Sequence, residues 1–277
     1  MAGVAWETGV LAGLAEGGID VADADLIVGT SAGSVIGAQL ASGRPVQEML
    51  EELLSPPENA TAIQLDFDPP TVIAIFQKWA SFAEITDTGC ADVGAMAIGA
   101  KTSAEEAWIE SFAERFAGEW PERQLVVTAV DADSGAFQAW DRDSGVPMEL
   151  AIASSCTVPG LFPPVTINGK RYIDGGVRSG TNADLAEGHD TILIMTALGG
   201  RQENIGPICK RTAEAEAAAL SGGSSHVELH FMDEGSLEAV GSNMMDPTRT
   251  KITAEAGVKQ GKRLATRIAD VWPKAIV

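Results

Sequence analysis

The apolar run Leu26-Ile27-Val28 leads straight into Gly29-Thr30-Ser31-Ala32-Gly33, and Ser34-Val35-Ile36-Gly37-Ala38 follows. In order, this is a short buried strand, a sharp turn and a helix of small residues. Such a turn lifts the Ser31 hydroxyl to the end of a sheet and aims it at the N-terminus of the next helix. Gly29 and Gly33 suit the corner, because a side chain at either place is expected to strike the adjoining strand or helix. Ser31, between Thr30 and Ala32, is therefore a candidate nucleophile, and the chain a candidate acyl hydrolase. The competing reading is a glycine-rich loop that cradles a phosphate or nothing; the strand before the turn and the helix after it favour the nucleophile.

The rest of the chain alternates in the same way. Val10, Leu11 and Leu14 share a face of a helix expected over residues 5–16. Further helices are expected over 32–41, 46–54, 104–117, 147–155, 208–220 and 248–272. Trp108, Phe112 and Phe116 recur at helical spacing and read as a core face. Strands are expected over 125–130, 136–140, 191–198 and 227–232, and Asn168-Gly169 marks a hairpin between 165–167 and 171–173. This alternation predicts one α/β domain over residues 1–277 with a largely parallel sheet. Residues 55–101 are less regular and hold four prolines, at 56, 57, 69 and 70. They read either as a lid or acyl-chain wall or as ordinary packing helices.

Charge and cysteines exclude several roles. The net charge of −20 repels nucleic acid and opposes simple electrostatic docking on anionic lipid, which leaves at most a peripheral membrane contact. No apolar stretch approaches the ~18 residues of a membrane span. The first basic residue is Arg44, so no basic leader region is visible, and a cytoplasmic location is expected. Cys90, Cys156 and Cys209 are odd in number and far apart, as free thiols would be. Asp131-Ala132-Asp133-Ser134-Gly135 and Asp141-Arg142-Asp143-Ser144-Gly145 contain Asp-x-Asp but lack the remaining ligands of a calcium loop; they read as turns, and no metal or organic cofactor is expected.

A serine nucleophile needs a base. The three histidines, His189, His226 and His230, lie outside any informative motif, although the order Ser, Asp, His would permit a triad using His226 or His230. Asp174 is the stronger candidate. It ends a strand and precedes Gly175-Gly176, which leave room for a second chain element to approach.

Together, Gly29-Thr30-Ser31-Ala32-Gly33 and Asp174-Gly175-Gly176 resemble the bacterial patatin-like phospholipase family. So do Trp6-Glu7-Thr8-Gly9-Val10-Leu11, Ala151-Ile152-Ala153-Ser154-Ser155 and Val158-Pro159-Gly160-Leu161-Phe162-Pro163-Pro164-Val165. The likeness runs from about Gly3 to about Leu198. It implies a three-layer α/β/α fold, a Ser31–Asp174 dyad without histidine, and hydrolysis of acyl esters in lipids. The family's oxyanion loop follows its first strand and is rich in glycine; here only Gly3 matches it, as its last glycine. An upstream start, a fragment and a decayed, non-catalytic lipid-binding relative all remain open explanations. The family's asparagine soon after Asp-Gly-Gly is also displaced, to Asn182.

Overall fold

The computed structural model describes residues 1–55, 66–199 and 206–272. The first half of the chain forms α1 (Ala2–Glu16), β1 (Leu26–Gly29), α2 (Ala32–Ala41), α3 (Val46–Leu54), α4 (Pro69–Ala80), α5 (Asp87–Ile98) and α6 (Glu105–Phe116). Then come β2 (Gln124–Asp131), β3 (Phe137–Trp140), α7 (Met148–Ser155), β4 (Val165–Ile167) and β5 (Lys170–Asp174). The chain closes with β6 (Thr191–Thr196), α8 (Gly206–Ser221), β7 (His226–Phe231), α9 (Glu234–Val240) and α10 (Thr250–Ile268). Most of these elements fall where periodicity puts them. α9 had no apolar stripe to announce it; its start is marked by Asp233, whose carboxylate accepts from the Ser236 N–H at 2.8 Å.

β2 organises the site. β3 lies along one of its edges, with Val127 opposite Trp140 and Ala129 opposite Gln138. The same two residues also pair on the other edge, Val127 with Gly29 of β1 and Ala129 with Asp174 of β5. β1 runs parallel to β2 and β5 antiparallel, so the two strands approach along one edge from opposite directions and stop end to end. β4 joins the outer edge of β5 through a hairpin in which Asn168 and Gly169 both take positive φ, as a tight two-residue turn of that hand requires.

The α/β class holds, but the sheet is mixed rather than largely parallel. β3, β4 and β5 all pair antiparallel to their neighbours. β3 follows β2 and β5 follows β4 through short turns, which cannot return a chain to a parallel register, and β5 meets β2 antiparallel after a longer path through α7 and β4.

Helices cover both faces of β2. Leu125, Val127 and Ala129 point toward α6 and α7, where Trp108 stacks on Phe162 with ring centroids 3.9 Å apart. Val130 and Ala132 point the other way, onto Ile75 and Trp79 of α4 and Val93 of α5. Trp108 and Phe116 are therefore core, as their spacing indicates. Within residues 55–101, α4 and α5 form one layer of the core; residues 56–65 lie outside the described ones. The Asp131 turn closes the β2–β3 hairpin: its carboxylate accepts from the N–H groups of Asp133 and Ser134 and pairs with Lys170.

β6 and β7 pair in parallel as a separate two-stranded sheet. α1 and α10 cross at backbone contact through four glycines. A Cβ on Gly9 would lie 2.2 Å from the Ala254 carbonyl oxygen, and one on Gly261 would lie 2.1 Å from that of Val10. Gln260 ties the same crossing to β7, accepting from Trp6 Nε1 at 2.8 Å and donating to the Phe231 carbonyl at 2.7 Å. Among the described residues no helix is long and apolar enough to cross a membrane.

Candidate active site

The head-on meeting of β1 and β5 brings the two ends of the site together. Their last residues oppose positions two apart on β2, a separation of roughly 7 Å along a strand. Past Gly29 the chain must turn away sharply, because β5 occupies the edge ahead. Gly29 is required by this corner: a Cβ there would lie 2.5 Å from Cα of Ser34. Gly33 departs from expectation, since a Cβ there would meet only Oε2 of Glu7, at an ordinary 3.7 Å.

Ser31 sits at the N-cap of α2 with φ 53° and ψ −117°. Positive φ in a residue with a side chain is strained and survives only where surroundings enforce it. Here the end of α7 does so. Ser155 Oγ accepts the Ser31 N–H at 2.9 Å, and the Ser31 carbonyl accepts from Ser34 Oγ at 2.7 Å and from the Cys156 thiol at 3.3 Å. The next residue, Thr157, accepts the Asp174 N–H at 3.0 Å. Three consecutive residues therefore hold both the serine and the aspartate.

Asp174 is 5 % exposed. Burial pushes its pKa up to about 7, partly offset by hydrogen bonding with the Ser31 side chain and by the Gly176 N–H, 2.8 Å from Oδ1. Gly175 is packed so closely that a Cβ would fall 2.3 Å from Oγ1 of Thr128. Behind Ser31 and Asp174, fully buried Asn182 bridges the two motifs. Its Nδ2 lies 3.0 Å from Thr30 Oγ1, 3.2 Å from Thr128 Oγ1 and 3.4 Å from the Gly175 carbonyl, and Arg178 donates to its Oδ1 at 2.7 Å. So the displaced asparagine reaches the site by a longer path, helped by its left-handed φ of 47°.

The chain matches the family model for patatin-like phospholipase over residues 1–187, well over half its length. The chain belongs to the patatin-like phospholipase family. Members of this family are lipid acyl hydrolases, and the family's α/β class agrees with the fold described above. No curated protein matches the chain, so no relative narrows the activity further.

Within this family member, the histidines stand apart from the two motifs. His226 and His230 lie on β7, each 3.1 Å from a carboxylate oxygen of Glu228. His189 contacts the Ala186 carbonyl. None bonds Ser31 or Asp174 among the described residues.

Two acidic groups near the elbow were not singled out by their residue type alone. Glu7 of α1 is 9 % exposed, and burial raises its pKa to about 8. Cys156 is pushed up to about 12, chiefly by burial and then by the Asp174 charge, so its thiol stays protonated beside the serine. Gly3 opens α1 against the elbow; a Cβ on it would lie 2.9 Å from Cβ of Ala32. Ser155, Cys156 and Thr157 were legible only as part of a quoted stretch, since nothing in a run of small residues says which backbone groups it will hold.

Proposed function

We propose that this chain hydrolyses acyl esters of lipids, with Ser31 as nucleophile and Asp174 as base. The observation that carries the proposal is the strained, positive-φ Ser31 whose hydroxyl interacts with a buried aspartate of elevated pKa. A free aspartate near pH 4 is a weak base for a hydroxyl, whereas one near 7 is matched to neutral pH.

As Ser31 Oγ attacks the ester carbonyl carbon, its proton passes to an Asp174 carboxylate oxygen. The carbonyl oxygen takes the negative charge. The Ala32 N–H, which has no hydrogen-bond partner among the described residues, is placed to receive it, together with the positive ends of α1 and α2. Collapse breaks the bond to the leaving alcohol, and Asp174 returns the proton to that oxygen. Water then attacks the acyl-serine, Asp174 takes its proton, and the fatty acid leaves with Ser31 restored.

The test compares wild type with Ser31→Ala, Asp174→Asn and the three single His→Ala variants on a short-chain ester. Loss of several orders of magnitude in the first two, with the histidine variants near wild type, is the expected outcome. An active Asp174→Asn protein, or a folded but dead His226→Ala or His230→Ala protein, overturns the dyad. A wild type that binds lipid vesicles without hydrolysing any ester makes the chain a binding protein instead.

A further inference from the structure

Outside the β4–β5 hairpin, two of the described residues with side chains take positive φ, Ser31 at 53° and Asn182 at 47°. They are far apart in sequence, yet the Asn182 amide reaches the residue before Ser31, with Nδ2 3.0 Å from Thr30 Oγ1. Strain of this kind persists only where neighbours enforce it. The end of α7 supports Ser31 on one side. On the other side the turn leans on Asn182, and Asn182 is held by Arg178, which the acyl chemistry does not use.

The carboxamide of Asn182 fits only one way round. Its Nδ2 faces the carbonyls of Ser179, at 2.8 Å, and Gly175, at 3.4 Å, groups that can only accept. It also faces the hydroxyls of Thr30 and Thr128, which lie 2.8 Å from each other. Turned over, the amide would set its oxygen against both carbonyls. Arg178 fixes the choice, because a guanidinium can only donate and its Nη1 lies 2.7 Å from Asn182 Oδ1. Arg178 is itself firmly held. Asp184 accepts from Nη1 at 3.0 Å and from Nη2 at 2.6 Å. The guanidinium carbon lies over the Phe137 ring of β3, 4.3 Å from its centroid. The Arg178 N–H closes the turn on the Gly175 carbonyl at 3.1 Å. The side chain keeps 30 % of its exposure, so a small cation from solvent can reach the place it fills.

We propose that Arg178 is a positioning residue for the Ser31 reaction: braced by Asp184 and Phe137, its guanidinium orients the Asn182 amide, which holds Thr30 and Gly175 in register. The inference rests on Ser31 as nucleophile. Arg178 makes no hydrogen bond to Ser31 or Asp174 among the described residues, so it acts on the rate through Asn182 and leaves substrate affinity alone. Lysine is a poor substitute, because a point charge cannot serve Asn182 and a bidentate carboxylate at once.

The test is a double-mutant cycle on the full chain, read as kcat and KM on a short-chain ester and as labelling of Ser31 by a fluorophosphonate. Arg178→Ala should lower kcat about 30-fold and slow labelling in proportion, with KM within about twofold of wild type. In Asn182→Gly protein the same substitution should cost less than about threefold. Methylguanidinium should restore kcat to Arg178→Ala but not to Arg178→Ala/Asn182→Gly. It should do nothing for Arg171→Ala, which removes the exposed Arg171–Asp133 pair. Arg178→Lys should lower kcat about tenfold, and it carries the test should Arg178→Ala not fold. Unchanged kcat in Arg178→Lys, a rise in KM in place of a fall in kcat, or an equal loss with and without Asn182 would overturn the proposal and leave the nucleophile standing. Wild-type protein that hydrolyses the ester with Ser31 unlabelled would overturn both.

Discussion

Replacing Glu7 by Gln should stabilise the protein in a strictly pH-dependent way. The Glu7 carboxyl lies between Gly3 and Gly33, has lost nearly all its water, and has no hydrogen bond among the described residues. Burial therefore disfavours its ionised form and moves its pKa from 4.5 to about 8. In the unfolded chain the same carboxyl ionises near its ordinary value. Between those two points the unfolded state has released a proton that the native state still holds. Stability therefore falls as pH rises from about 4.5 to about 8, and is level above. That displacement corresponds to roughly 5 kcal/mol. Gln keeps the shape of the neutral acid and has no proton to lose, so the variant escapes this decline. Urea unfolding from pH 4 to pH 9 checks it. The two proteins should agree near pH 4, diverge steadily, and differ by up to roughly 5 kcal/mol above pH 8. Asp174 adds its own decline, between 3.8 and about 7, to both proteins, so it cancels in the difference. A difference that is constant with pH, or a variant less stable at pH 9, would show that Glu7 is ionised in the native protein.

Other expectations follow from the same geometry. With Asp174 as base, kcat/KM should rise about tenfold per pH unit up to an apparent midpoint near 7 and then level; a profile already flat at pH 5 would remove the elevated pKa. Asn182→Gly keeps the left-handed backbone but cuts the bridge from Thr30 to Gly175, so kcat should fall about 100-fold with KM little changed; unaltered kcat would make Asn182 merely a packing residue. Gly261→Ala forces a methyl into the Val10 carbonyl and should destabilise by about 1–3 kcal/mol. Gly235→Ala, whose Cβ meets nothing closer than Asp233 Oδ1 at 3.7 Å, should be neutral or better; equal melting temperatures for the two would refute the tight α1–α10 crossing.

What the sequence disclosed and what it withheld divide along physical lines. The motifs around Ser31 and Asp174 were legible because each holds a glycine that close packing requires. At Gly29 and Gly175 a side chain would overlap backbone or Thr128. Helices α1 and α6 were legible from the spacing of their apolar residues, and α2 from the run of small residues that follows the turn. Strand direction was not, because the alternation along β5 is the same whichever way it runs against β2. Asn182 and Thr128 were illegible as a pair: they are 54 positions apart and meet only because β2 passes beneath the Asp174 loop. The glycines of α1 and α10 read as weak helix positions and turn out to be the contact surface of one crossing.

Strand direction also explains why the site has the shape it does. Were β5 parallel to β1, the two C-terminal ends would lie side by side at one rim, and a base carried there would project outward with the serine. Antiparallel pairing on the shared edge of β2 instead drives the ends at each other, Gly29 opposite Val127 and Asp174 opposite Ala129. Neither strand can continue, so one turns through the strained Ser31 and the other through Gly175-Gly176. The α7 terminus then lies across the junction and holds a backbone group from each side. Asp174 is buried by that convergence, and burial raises its pKa toward neutrality. In this arrangement the strain at the serine, the dryness of the aspartate and their mutual approach have one cause, the collision of two strands on one edge. A residue that lengthens β5 past Asp174 should therefore disturb all three together.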